Sequence, residues 1–166
     1  MKIRNAQATD FDAILALNEA SVSFLSPLSP QRLTELHALA ALHRVAEHEG
    51  VVVGFLLAFR EVADYDSPNY RWFKERYPRF LYVDRVVVAG TARGHGVGTL
   101  LYRDMFEFAA ASAVGLVTCE FDIDPPNPAS ERFHASFGFR EAGRQWVADG
   151  TKQVSLQVAP VNTENR

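Results

Sequence analysis

The sequence predicts an α/β fold of the α+β kind, a mixed, mostly antiparallel central sheet flanked by helices on both faces. Three observations predict it. The run Val86-Val87-Val88 leads through a glycine-rich turn, Arg93 to Gly98, into an amphipathic helix, and consecutive valines favour a half-buried strand. Strand-like runs flank Glu49-Gly50 and Asp149-Gly150, both hairpin signals. The segments follow in the order strand, two helices, three strands, helix, strand, helix, two strands, which suits one sheet covered on both sides. Residues 1–160 read as a single domain, and residues 161–166 as a loose tail.

Taken in order, Lys2 to Ala6 alternates as a first strand. Thr9 or Asp10 caps a helix to about Ala20, with Phe11, Ile14, Leu15 and Asn18 at helical spacing. Ser29 caps a second helix that starts at Pro30 and carries Leu33, Leu36, Leu39 and Ala40 as its apolar stripe. The hairpin follows, Leu42 to His48 and Val51 to Phe59, with His43 and His48 as solvated positions. Gly54, inside the second arm, marks a bend or a close approach.

Residues 60–79 are too long for a hairpin loop. They carry Tyr65, Tyr70, Trp72, Phe73 and Tyr77 and a short helix from Asn69 to about Arg76, a lid with its own apolar cluster. Tyr65 and Trp72 are candidate walls of a substrate pocket. Phe80 to Val88 is the fourth strand, and the helix from Gly96 runs to about Ser112 on Val97, Leu101, Met105 and Phe108. Val114 to Ile123 is a fifth strand with Cys119 as a buried thiol. Asn127 caps a helix that begins at Pro128 and ends at Gly138-Phe139. Arg140 to Val158 forms the last two strands.

Composition excludes several classes of function. Apolar residues make up 48% and charged residues 22%, an ordinary globular balance. The net charge of −3 offers no basic field for nucleic acid or an anionic membrane. No apolar run reaches membrane-spanning length and the N-terminus has no signal-peptide core, so a cytoplasmic location is expected. The single cysteine fits a reducing compartment, and the five histidines show no metal-ligand spacing.

The glycine turn carries the chemistry. Backbone N–H groups at a helix start have no intrahelical acceptor, and with the helix dipole they make an anion site suited to phosphate. No Lys-Ser or Lys-Thr pair follows Gly98, and Thr99 stands where a dinucleotide motif needs its third glycine. The pattern is Arg-x-x-Gly-x-Gly, at Arg93, Gly96 and Gly98. It resembles the signature of the GCN5-related N-acetyltransferases (GNAT). In that family a helix reading Asn-x-x-Ala-x-x-x-Tyr-x-x-x-Gly-Phe follows the fifth strand. Here Asn127, Ser130, His134, Gly138 and Phe139 stand at those spacings, about thirty residues after the first motif.

The resemblance implies acetyl-CoA (coenzyme A) as cofactor and transfer of the acetyl group to a primary amine of a small molecule or peptide. It implies that Val86, Val87, Val88, Arg93, Gly94, His95, Gly96, Val97, Gly98, Thr99, Asn127, Ser130, Phe133 and His134 contact the cofactor. It assigns the carbonyl oxygen to a main-chain N–H at Val86 or its neighbour and the pantetheine arm to Val88 and Asn127. His134 replaces the family's tyrosine and is the candidate acid: an imidazolium of pKa about 6.5 can protonate a thiolate of about 8.5. For a base, Asp84 is favoured, with Glu120 and Asp122 competing. By period two, Tyr82, Asp84 and Val86 share one face of the fourth strand. Tyr82 and Glu120 join Tyr65 and Trp72 as pocket candidates. The partners expected are acetyl-CoA and an amine, and the C-terminal hairpin and residues 60–79 are surfaces for a homodimer. The alternative reading is a non-catalytic acyl-CoA-binding regulatory module.

Overall fold

The computed structural model describes residues 1–22 and 25–162. Seven strands form one sheet: β1 (Lys2–Asn5), β2 (Leu42–His48), β3 (Val51–Arg60), β4 (Leu81–Val88), β5 (Leu116–Asp124), β6 (Arg140–Val147) and β7 (Lys152–Pro160). Their spatial order is β1-β2-β3-β4-β5-β7-β6. Every neighbouring pair is antiparallel except β4 and β5. The helices are α1 (Phe11–Ala20), α2 (Pro30–Leu39), α3 (Pro68–Lys74), α4 (Val97–Ala111) and α5 (Pro128–Ala135). The expected mixed sheet and element order therefore hold.

The sheet is covered on both faces. Leu101, Tyr102 and Met105 of α4 pack with Leu56, Leu81 and Val83 on one side, joined by Phe133 and Phe137 around α5. On the other side Ile14 of α1 and Leu33 of α2 bury Val45, Phe55 and Val87. Leu36 and α3 cover Leu57, Phe59, Tyr82 and Leu156 there. Residues 60–79 do not build a separate cluster: Tyr70 and Phe73 pack with Phe80 and Tyr82. Gly54 marks a close approach, since a Cβ there would stand 2.9 Å from the Val87 carbonyl oxygen and 3.1 Å from Val97 Cγ1. Of the expected tail, Val161 donates to the Gly115 carbonyl at 3.0 Å, and residues 163–166 lie outside the described residues.

His43 is not solvated. Phe11 and Phe55 pack near its ring, and its Nδ1 lies 2.7 Å from Nδ1 of His37 on α2. Only 6% of the residue is exposed, and burial pushes the imidazole down to about 4. The unfolded imidazole charges near pH 6.5 while the folded one stays neutral, so this stability is present above about 6.5 and drains away as the pH falls toward 4. Urea unfolding at pH 7 and pH 4 should show a loss of about 3 kcal/mol from this group, missing in His43→Phe. Equal slopes in the two proteins would disprove it.

Candidate active site

The site begins where β4 and β5 part. They pair only at Leu81↔Val117 and Tyr82↔Thr118. Beyond those rungs each strand continues without the other, and the first residues past the fork on the same pleat are Asp84 and Glu120. On its other edge β4 pairs with β3 up to Val88. Ala89 donates to the Val53 carbonyl at 2.8 Å, so its N–H points to β3. Successive N–H groups of a strand point to opposite edges. Val88 and Val86 therefore turn theirs into the gap.

One residue of β4 breaks the alternation. Leu57 pairs with Arg85 and Ala58 with Val83, leaving Asp84 as a β-bulge. Tyr82 and Arg85 lie on the α1–α2 side, while Val86 packs with the α4 cluster. The expectation that Tyr82, Asp84 and Val86 share a face holds for Tyr82 and Asp84, which both meet Tyr65, and fails for Val86. The extra residue resets the period of two and puts Val86 on the α4 side.

At one end of the gap lies the glycine turn. Gly94 (φ 83°) and Gly96 (φ 76°) are in the left-handed region, and Gly96 caps α4. No backbone carbonyl among the described residues accepts from the N–H groups of Gly96, Val97, Gly98 or Thr99. A Cβ at Gly94 or Gly96 would meet nothing within 4 Å, so the turn is open to an approaching group. Arg93 and His95 are exposed beside it. Gly98 faces α5, where the Phe133 ring stands 3.4 Å from the position of a Cβ. These open donors, the strand edge and the bare glycine fit an extended ligand with a pyrophosphate at one end.

On α5, Asn127 Oδ1 accepts from Ser130 N–H at 3.4 Å, so the capping oxygen is turned back into the helix. His134 is buried. Its Nδ1 lies 2.7 Å from the Ser130 carbonyl oxygen, which can only accept, so Nδ1 carries the proton. Its Nε2 lies 2.6 Å from the Tyr102 hydroxyl, which therefore donates to it. Burial lowers the His134 pKa, countered in part by the bond to Ser130. The pocket thus favours a neutral imidazole, not the imidazolium that an acid role needs. Tyr102 is the partner that sequence reasoning missed. It sits one residue from Leu101 in a helix stripe, and nothing local marks it.

At the fork, Tyr82 donates its hydroxyl to Glu120, 2.8 Å from Oε2 and 3.0 Å from Oε1. Asn69 of α3 also hydrogen-bonds the carboxylate, and its own Oδ1 accepts from Gln145 at 2.7 Å. Burial and the Asp84 charge push Glu120 up to about 8 despite those bonds. Asp84 is fully engaged: Oδ1 accepts from the Tyr65 hydroxyl at 2.5 Å and Oδ2 from Arg85 Nε at 2.7 Å. Asp122 lies 3.5 Å from Lys152 Nζ. Of the expected pocket residues, Tyr65, Tyr82 and Glu120 meet around the fork. Trp72 stands apart from them, its ring against Gly143 and under the Arg76 guanidinium.

Comparison with known proteins completes this geometry. The model of the acetyltransferase (GNAT) family matches residues 11–139. The chain belongs to the GNAT family. Over 58 residues it is 47% identical to a phosphinothricin N-acetyltransferase of Streptomyces coelicolor, covering 35% of this chain and 33% of that one. The chain thus spans about a third of the length of the curated relative it matches. Among solved structures, Ard1 of Thermoplasma volcanium superposes with a TM-score of 0.79 at 17% identity, covering 96% of this chain and 97% of that one. The yncA protein of Salmonella typhimurium, solved with its cofactor acetyl-CoA, gives 0.74 at 20% identity, covering 98% and 94%. At such identities these two show a shared GNAT fold.

Proposed function

We propose that the protein is an acetyl-CoA-dependent N-acetyltransferase acting on a primary amine of a small molecule or peptide, in the cytoplasm. The observation that carries this reading is the open fork between β4 and β5, with free N–H groups along one edge and a carboxyl of raised pKa at its origin. When bound there, acetyl-CoA supplies an activated acetyl thioester. Gly96, Val97, Gly98 and Thr99 hold its pyrophosphate through their N–H groups, with Gly94 leaving room and Arg93 and His95 at the rim. Val87, on the α1–α2 side, keeps β4 in register with β3. Val88 N–H and the Asn127 amide bind the pantetheine arm. Ser130 and Phe133 line it on the α5 side.

Val86 N–H donates to the carbonyl oxygen, where negative charge grows during transfer. A fixed donor aimed there lowers the barrier without reorganisation. The incoming amine must lose a proton to become a nucleophile. Glu120 accepts it, since a carboxylate whose pKa is about 8 is a stronger base than an ordinary one. Asp84 has both oxygens committed. Its part is to keep negative charge beside Glu120 and so raise its basicity. His134, neutral and bonded at both ring nitrogens, shapes the cofactor wall and does not deliver a proton, so the thiolate released on transfer would take its proton from solvent. Tyr65 and Tyr82 orient the two carboxylates.

The test is thiol release from acetyl-CoA over a panel of amines, amino acids and peptides. Turnover with one amine class, retained in His134→Gln and lost in Glu120→Gln, is expected. Tight acetyl-CoA binding with no turnover on any acceptor would sink the reading.

A further inference from the structure

Arg85 is the buried charge that this mechanism leaves unused. It follows the bulge residue on β4 and is 7% exposed. Its Nε donates to Asp84 Oδ2 at 2.7 Å. Its Nη1 donates to Asn18 Oδ1 at 3.0 Å and to the Ser26 carbonyl at 3.3 Å. Asn18, 1% exposed in the last turns of α1, donates from Nδ2 to the same Ser26 carbonyl at 3.1 Å. One guanidinium therefore ties together the bulge, the end of α1 and the approach to α2.

Stability does not explain this arrangement. A buried ion pair is weak evidence of stabilisation, because desolvation offsets most of its Coulomb gain. What a guanidinium does supply is geometry: a planar fork that stays charged and holds several acceptors at fixed angles. The acceptors here border the α1–α2 side of the fork, and the carboxylate held by Nε is the one beside Glu120. Asn18 carried a trace in the sequence, as the one polar residue on the apolar stripe of Phe11, Ile14 and Leu15.

We propose that Arg85 is a positioning residue for the acceptor amine: it holds Asp84 against the bulge and, from behind the α1–α2 side of the acceptor groove, fixes the end of α1 and Ser26 in place. This rests on the reading that the amine enters beside Glu120 on that side. Asn18→Leu removes both side-chain bonds at similar size, and Asn18→Asp keeps the acceptor for Arg85 while losing the donor to Ser26.

Steady-state kinetics with the best amine of the panel should show the acceptor KM raised roughly 10-fold or more in Asn18→Leu. A smaller rise is expected in Asn18→Asp, with the acetyl-CoA KM near wild type in both, and a lower melting temperature in Asn18→Leu, where a buried guanidinium donor loses its acceptor. A readout independent of turnover is the nitrogen NMR signal of the Arg85 guanidinium. Its Nη groups should be separately resolved by hindered rotation in the wild type and averaged in Asn18→Leu. Parallel rises in both KM values, an unchanged acceptor KM, or a freely rotating guanidinium in the wild type would each overturn the proposal while leaving acetyl transfer intact. A wild type that acetylates no amine would overturn the acetyl-transfer reading and the acceptor role together.

Discussion

Glu120→Gln lowers kcat/KM for amine acetylation roughly 10²- to 10⁴-fold, the range for loss of a positioned general base. The substitution is nearly isosteric and keeps an oxygen to accept from Tyr82, so the local packing survives. In the wild type, kcat/KM should climb with pH and level off through about 8, the value to which burial and Asp84 push this carboxyl. In the variant that limb disappears. Stability should move the other way. The folded carboxyl binds its proton more tightly than the unfolded one, so wild-type stability is whole below the ordinary Glu range near 4.5 and falls as the pH rises through about 8. The amide in the variant cannot ionise. Thermal melts at pH 5 and pH 9 should therefore show the variant gaining on the wild type at the higher pH. An unchanged kcat/KM with an unchanged limb would remove Glu120 from the mechanism.

Gly98→Leu weakens acetyl-CoA binding by roughly 10- to 100-fold, the equivalent of about 1–3 kcal/mol of overpacking. A Cβ at this position already stands 3.4 Å from Phe133 Cζ and 3.9 Å from Val88 Cγ2. The remaining leucine atoms must extend past Phe133 and Val88, into the space that the proposed reading gives to the cofactor. Gly98 is helical and not in the left-handed region, so the effect is occupation of space and not backbone strain. Calorimetric titration of acetyl-CoA checks it. Gly98→Ala should bind nearly as well as the wild type, because one methyl meets only ordinary contact. Full affinity in Gly98→Leu would show that the cofactor does not pass this way.

The two family motifs were legible because each is local. Arg93 to Gly98 is a contiguous turn whose glycines declare their own backbone. Asn127-Pro128 is a helix start written in adjacent residues, and Asn127 does cap the helix. Burial and the bonds at both ring nitrogens favour a neutral His134, against the acid role that the resemblance implies. The partner that holds Nε2 is Tyr102, 32 residues away. His43 looked solvated because an alternating strand shows only which face a residue takes, while the cover over that face comes from His37 and Phe11. Asp84 and Glu120 both stood among the candidates for the base. What separates them is which one Arg85 and Tyr65 have already engaged.

The sequence by itself determined the order of elements, the sheet, the glycine turn that opens α4 and the family. These follow from hydrophobic period, capping residues and glycine placement, all read over a few neighbouring residues. Only the tertiary structure decided that Asp84 is bulged, that Val86 leaves its expected face, that burial and Asp84 push the Glu120 carboxyl up to about 8 and that Arg85 ties α1 to β4. The reason is physical. Register, burial and electrostatic shift are set by groups far away in the chain, and a periodic pattern carries no record of which distant residue will arrive at its side.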